Sequence, residues 1–213
     1  MMEFQAAIFD MDGLLLDTER VCMRVFQEAC VACEVPFYEE VYLSIIGCNA
    51  KTINGILSQA YGDDLPRLHN EWRQRYSAVV MHEAIPHKEG VVALLEWLKA
   101  RSIPLAVATS TQKEVALVKL QLAGLDTYFD IITTGCEVTQ GKPHPEIYLL
   151  AAQRLGVEPE LCLAFEDSNN GIKAAMAAKM QAFQIPDLVK PSSEVIALGH
   201  PICRSLNEVI DLL

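Results

Sequence analysis

The sequence predicts an α/β protein, a parallel sheet core interrupted after its first strand by an all-helical insert. Three observations carry this. A short apolar run at residues 4–9 ends abruptly at Asp10-Met11-Asp12-Gly13. A stretch of about 70 residues with helical spacing and no strand signal follows. From residue 86 onward, apolar strands alternate with helices of ten residues or so, the rhythm of βαβ units.

Each element follows from its pattern. In the insert, Val21, Val25, Phe26, Ala29 and Cys33 recur at helical spacing, and residues 40–46, 52–61 and 65–80 read as further helices. Gly47-Cys48-Asn49 and Gly62-Asp63-Asp64 punctuate them. In the core, helices are expected at 90–101, 112–124, 146–155 and 171–178, with a terminal helix near Leu206. Strands are expected at 104–109, 129–133, 161–165 and 181–185. Their nearly continuous apolar character fits a sheet covered on both faces. The expected division is a core of residues 1–15 and 86–213 around a helical insert of 16–85.

Composition narrows the function. Across 213 residues, 51% hydrophobic and 21% charged, the chain reads as an ordinary soluble domain with an insert. A net charge of −11 argues against a nucleic-acid polymer, whose binding needs Lys and Arg on phosphates. No apolar run is long enough for a bilayer, so no membrane partner is expected. No signal peptide is legible, and seven scattered cysteines suit a reducing compartment; the expected location is cytoplasmic. A monomer is the default expectation. Cys30 and Cys33 form a CxxC, but within a helical pattern and without a second pair, so small buried residues are the expected reading.

Ligands of open parallel sheets sit beyond the carboxyl ends of the strands, and polar residues gather there. The first strand ends in Asp10-Met11-Asp12-Gly13 and the second in Thr109-Ser110. The third leads through a loop to Gly141-Lys142-Pro143, and the fourth ends in Glu166-Asp167-Ser168. Alone, each is a common turn, cap or surface residue; together, at one sheet edge, they describe a phosphate site. Asp10 is the best-placed nucleophile, able to form an aspartyl-phosphate. Asp12 is placed to protonate the leaving oxygen and then take a proton from water. Lys142 offers charge, Thr109 a hydroxyl and Ser110 an N–H near a helix start. Asp10 and Asp167 offer hard oxygens suited to Mg²⁺, and Glu166 is placed to act through bound water or to orient the shell.

These segments, with Leu14-Leu15-Leu16-Asp17-Thr18-Glu19, His144-Pro145-Glu146 and Asn169-Asn170-Gly171 beside them, resemble the four motifs of the haloacid dehalogenase superfamily. More narrowly, they are similar to its beta-phosphoglucomutase-like phosphatase branch. The resemblance spans essentially the whole chain. It implies a Rossmann-like core with an inserted helical cap domain, Asp10 as nucleophile, Asp12 as acid/base, and Thr109 and Lys142 as phosphate ligands. It also implies Mg²⁺ held by the Asp10 carboxylate, the Asp12 main-chain carbonyl and Asp167. The expected activity is Mg²⁺-dependent hydrolysis of a small phosphorylated metabolite, a sugar or nucleoside phosphate.

Other readings fare worse. Gly135 and Gly141-Lys142 are spaced one residue too far for a P-loop, and Pro143 stands where Ser or Thr should bind the metal. No GxSxG appears, and the five histidines lack metal-ligand spacing, so surface or cap roles are their default. Dehalogenases lack an acid matching Asp12, and a catalytically idle module would have lost part of the set. Phosphonatases use a cap lysine, for which Lys51 is the candidate. The main rival is a phosphomutase, but where those enzymes carry a cap His and a cap Arg this chain has Cys22 and Ala50. Substrate choice is expected to rest with the cap, with Asn49 and Lys51 the leading candidates and Cys22 and Trp72 equally well explained by packing.

Overall fold

In the computed structural model, residues 3–46 and 50–213 are described, the Ala50 side chain excepted. The elements run β1 (Ala6–Phe9), α1 (Thr18–Ala32), α2 (Glu39–Ile45), α3 (Ala50–Tyr61), α4 (Leu65–His82), α5 (Val91–Lys99), β2 (Leu105–Thr109) and α6 (Lys113–Leu122). Then come β3 (Ile131–Thr134), α7 (Glu146–Leu155), β4 (Cys162–Glu166), α8 (Asn169–Ala177), β5 (Gln181–Gln184), α9 (Ser193–Ile196) and α10 (Leu206–Leu212). Of these, the one-turn α9 has no counterpart among the helices expected from sequence. It is too short for periodicity to register and is held by its Ser192 cap, whose hydroxyl accepts from Val195 N–H.

The five strands form one parallel sheet in the order β3-β2-β1-β4-β5. The chain builds outward from β1 on one side and then returns to its other side, so the topological switch point lies between β1 and β4. That crevice, at the carboxyl ends, is where such sheets bind ligands.

The two faces of the sheet differ in size. On one, Phe9, Leu105, Val107, Leu163, Phe165 and Phe183 pack with α5, α6 and α10. The Phe9 and Phe165 rings lie 4.7 Å apart, and Phe165 and Phe183 5.6 Å. The other face is mostly small, with Ala6, Ala106, Ala108, Ala164 and Ala182, which lets α7 and α8 lie close to the strands. Every residue of β1, β2 and β4 is buried, as their unbroken apolar runs require.

The helices α1–α4 form a cap with a hydrophobic centre of its own. Phe26, Ala29, Cys30 and Cys33 of α1 meet Tyr42, Ile45, Leu57, Tyr61, Leu65 and Leu68. Phe26 is its hub, with Trp72 edge-on at 4.9 Å and Tyr42 at 5.2 Å. Cys30 and Cys33 are buried here as free thiols. The chain leaves the core after Leu16 and returns at Pro86. There the two crossings are tied by Asp17 N–H to Pro86 C=O at 2.9 Å and Lys88 N–H to Leu15 C=O at 3.0 Å. Among the described residues no helix is long and apolar enough to cross a membrane.

Candidate active site

A cavity of about 550 Å³ opens at the switch point, large enough for a small metabolite. Asp10, Asp12, Thr109, Ser110, Lys142 and Asp167 all line it, joined by Glu19 and Ile46 of the cap and by Ser168, Asn169, Asn170 and Asp187. Of the two cap candidates, Lys51 lies exposed in the first turn of α3, outside the lining of this cavity, and Asn49 lies outside the described residues.

Asp10 follows β1 directly, with its N–H donating to Phe165 C=O at 2.9 Å, so the last link between β1 and β4 also fixes the acid. Gly13 turns the chain at φ 88°, and a Cβ there would strike the Asp167 carboxylate. Lys142 reaches in from the loop after β3, past a cis peptide bond to Pro143. Its ammonium donates to Asp10 Oδ1 and Glu166 Oε1, each at 2.5 Å, and to Ala108 C=O at 2.9 Å.

Glu166 is fully buried and otherwise occupied by the protein. Tyr148 donates to its Oε1 at 2.6 Å and Ser168 Oγ to its Oε2 at 3.2 Å. Ser168 Oγ in turn caps α8 by accepting from Gly171 N–H at 3.0 Å. Glu166 is thus an anchor for Lys142. By contrast, no hydrogen bond reaches the Asp167 carboxylate among the described residues.

Asp10, Glu166 and Asp167 can each turn an oxygen to within 4.8 Å of the others, close enough to share a cation. Three carboxylates face one ammonium, an excess of two negative charges if all ionise. The consequence is visible in their acidities. Burial, partly offset by Lys142 and reinforced by Glu166, raises the Asp10 pKa to about 7. Burial and then the charges of Asp10 and Glu166 push Asp167 well above the usual carboxylate range. Burial alone would lower the pKa of Lys142, but the Asp10 and Glu166 charges outweigh it and raise it, so it stays protonated. Hard oxygens, an Asp167 carboxylate that accepts no hydrogen bond among the described residues and this excess of negative charge fit a divalent cation.

Asp12 sits on the flank of the cavity. Its Oδ1 accepts from Lys119 at 2.8 Å, and its Oδ2 accepts from Thr111 Oγ1 at 2.7 Å and Thr109 Oγ1 at 3.5 Å. Thr109 is thereby turned toward Asp12 as well as the cavity, its oxygen also accepting from Thr111 N–H at 3.1 Å.

Several residues went unread in the sequence. Lys119 and Tyr148 were legible in principle. Lys119 shares the buried face of α6 with Ala116 and Leu120, and Tyr148 shares that of α7 with Ile147 and Ala151. A buried ammonium or phenol must have a partner. Asp187 follows β5, a fifth strand end of the same edge. Its buried Oδ1 accepts from Lys88 at 2.5 Å and from Arg20 at 2.7 Å, where the cap crossings meet. Among the histidines expected at the surface or the cap, His200 is instead buried, its Nε2 2.9 Å from Gln184 Oε1. Trp72 and Cys22 border a separate cap cavity of about 310 Å³ with His69, Arg73 and Tyr76.

Known proteins are similar to this chain in sequence and fold. The family model for haloacid dehalogenase-like hydrolases matches residues 7–185. A phosphorylated carbohydrates phosphatase of Thermotoga maritima is 37% identical over 183 residues, covering 83% of this chain and 82% of that protein. A probable pseudouridine-5'-phosphatase of Drosophila melanogaster is 34% identical over 188 residues, covering 84% and 80%. Among solved structures, CbbY of Rhodobacter sphaeroides in complex with phosphate superposes with a TM-score of 0.75 at 27% identity, over 97% of this chain and 96% of that one. With the family model matching most of its length and its parallel core and helical cap superposing on solved members, the chain belongs to the haloacid dehalogenase-like hydrolases, as a phosphohydrolase of the capped branch that includes beta-phosphoglucomutase and CbbY.

Proposed function

We propose that this enzyme is a Mg²⁺-dependent phosphatase of small phosphorylated metabolites, sugar phosphates foremost, working through an aspartyl-phosphate on Asp10. The observation that carries the reading is the asymmetry of Asp10. One oxygen is tied to Lys142, and the residue lies beside the unpartnered Asp167 in a cavity of metabolite size.

Mg²⁺ would be held by the Asp10 and Asp167 carboxylates and the Asp12 carbonyl, with Glu166 acting indirectly because its oxygens already serve Lys142, Tyr148 and Ser168. When bound, the ion would neutralise phosphate oxygens and keep Asp10 ionised. The remaining steps belong to the side chains. Lys142, Thr109 and the Ser110 N–H orient the phosphoryl group. An Asp10 oxygen bonds to phosphorus as the ester P–O bond breaks, and Asp12 gives its proton to the departing oxygen. Asp12 then takes a proton from water, whose oxygen bonds to phosphorus and frees Asp10.

Hydrolysis is favoured over phosphoryl return. At the cap position where mutases carry a histidine stands Cys22, whose thiol burial pushes up to about 11, so this position offers no positive charge to a charged intermediate. The relative at 37% identity is itself a phosphatase of phosphorylated carbohydrates. The test is a panel of sugar and nucleoside phosphates with Mg²⁺, following phosphate release and, for beta-glucose 1-phosphate with its bisphosphate, isomerisation. Release from sugar phosphates without isomerisation is expected. Isomerisation outrunning release would overturn the hydrolytic reading, and preference for nucleoside phosphates would overturn the sugar preference.

A further inference from the structure

Lys119 lies in the middle of α6, on its buried face, with its side chain only 3% exposed. An ammonium taken out of water must be compensated where it ends up. Here the compensation comes from both parts of the molecule. Asp12 Oδ1 accepts from it at 2.8 Å, and the hydroxyl of Tyr76, on cap helix α4, accepts at 3.4 Å. The same ammonium lies 5.5 Å from the centre of the Tyr76 ring. With Thr111 donating to the other Asp12 oxygen at 2.7 Å, Asp12 is held at both oxygens. Its side chain still keeps a quarter of its surface open. Lys119, Tyr76, Asp12 and Ser110 also line a side opening of about 530 Å³.

We propose that Lys119 is a positioning residue for proton transfer: its ammonium holds Asp12 in the orientation that reaches the leaving oxygen, and Tyr76 ties that hold to the seating of the cap. This rests on Asp12 being the general acid. Asp12 stands on a loop three residues past the end of β1, where its side chain has no covalent restraint. A misplacement of about 1 Å can cost roughly 10²-fold in rate. When Asp12 has given its proton to the departing oxygen it is a carboxylate, and the ammonium at 2.8 Å favours that product. The proton it later takes from water completes the cycle without any further donor.

The experiment compares Asp12→Ala, Lys119→Met, Lys119→Arg, Tyr76→Phe and the Asp12→Ala/Lys119→Met double variant. Each is assayed on para-nitrophenyl phosphate, whose leaving group scarcely needs a proton, and on the best alkyl monoester of the panel. Lys119→Met is expected to lower kcat on the alkyl ester at least tenfold more than on the nitrophenyl ester. Asp12→Ala should show the same selectivity, and the double variant should be no worse than Asp12→Ala, because the pair acts as a unit. Tyr76→Phe, which removes only a hydroxyl, should shift the ratio in the same direction by less. Lys119→Arg should fall between Lys119→Met and the parent.

Equal losses on both esters in Asp12→Ala would overturn the general-acid reading and this inference with it. Selectivity in Asp12→Ala with even losses in Lys119→Met, or additive losses in the double variant, would overturn this inference alone. Should Lys119→Met fail to fold, Lys119→Arg and Tyr76→Phe decide the question, and even losses on both esters in those variants overturn the inference in the same way.

Discussion

Gly171, in the first turn of α8, lies directly against the carboxylate of Glu166, so closely that a Cβ built on it would come within 1.9–2.0 Å of the carboxylate atoms. The contact is not with a flexible tip that can swing aside, since Lys142, Tyr148 and Ser168 all hold that carboxylate. Gly171 also gives its N–H to the Ser168 cap, so backbone and side chain meet at one point.

Gly171→Ala is therefore expected to destabilise by roughly 1–3 kcal/mol, the usual penalty for overpacking. It should also lower turnover by displacing Glu166 and with it Lys142. Denaturant unfolding and phosphate release check the two effects. Parent-like values in both would mean that the helix start yields more easily than the packing implies.

Asp10→Asn keeps the shape and removes the nucleophile, so turnover should fall by at least on the order of 10³-fold. Acid quench of the parent with labelled substrate should leave label on Asp10. Label on Ser110 or a histidine would assign the covalent step elsewhere.

Chelation should abolish phosphate release, and Mg²⁺ should restore it. Binding also shows without turnover. Mg²⁺ at a hundred times its Kd should stabilise the fold by about 2.7 kcal/mol, raising Tm. Asp167→Asn should remove that shift. A Tm indifferent to Mg²⁺ in the parent would count against the site.

Beyond the cavity lining, Glu137 predicts a pH dependence. Its Oε1 accepts from Arg154 at 2.9 Å, and its Oε2 accepts from Thr134 N–H and Oγ1 at 2.9 and 2.8 Å. The Arg154 hydrogen bond first, then those of Thr134, lower its pKa from 4.5 to about 2 against a smaller opposing effect of burial. A carboxyl more acidic when folded stabilises fully above its unfolded pKa and loses that contribution as pH falls through the folded one. Glu137→Gln should thus cost about 1–2 kcal/mol near neutrality, allowing for partial solvent screening. The gap to the parent should narrow as pH drops from 4.5 toward 2. Unfolding curves across that range are the check.

The sequence by itself determined the sheet, the helical insert and the strand-end residues that line the principal cavity. Buried parallel strands must be continuous apolar runs, and polar residues at their ends can only face the same edge. Asp10, Thr109, Lys142 and Asp167 were legible for that reason, because strand direction places them without knowledge of any contact. What only the tertiary structure decided were pairings across distant segments. Lys119 to Asp12 and Tyr148 to Glu166 join residues 107 and 18 apart. Which buried charge or hydroxyl meets which acid depends on how α6 and α7 settle on the two faces of the sheet. The different duties of Glu166 and Asp167 were expected from sequence, but the partners that occupy Glu166 were not, since neighbours in sequence point opposite ways from a strand end. One turned toward Lys142, Tyr148 and Ser168, and the other was left with its carboxyl group lining the cavity.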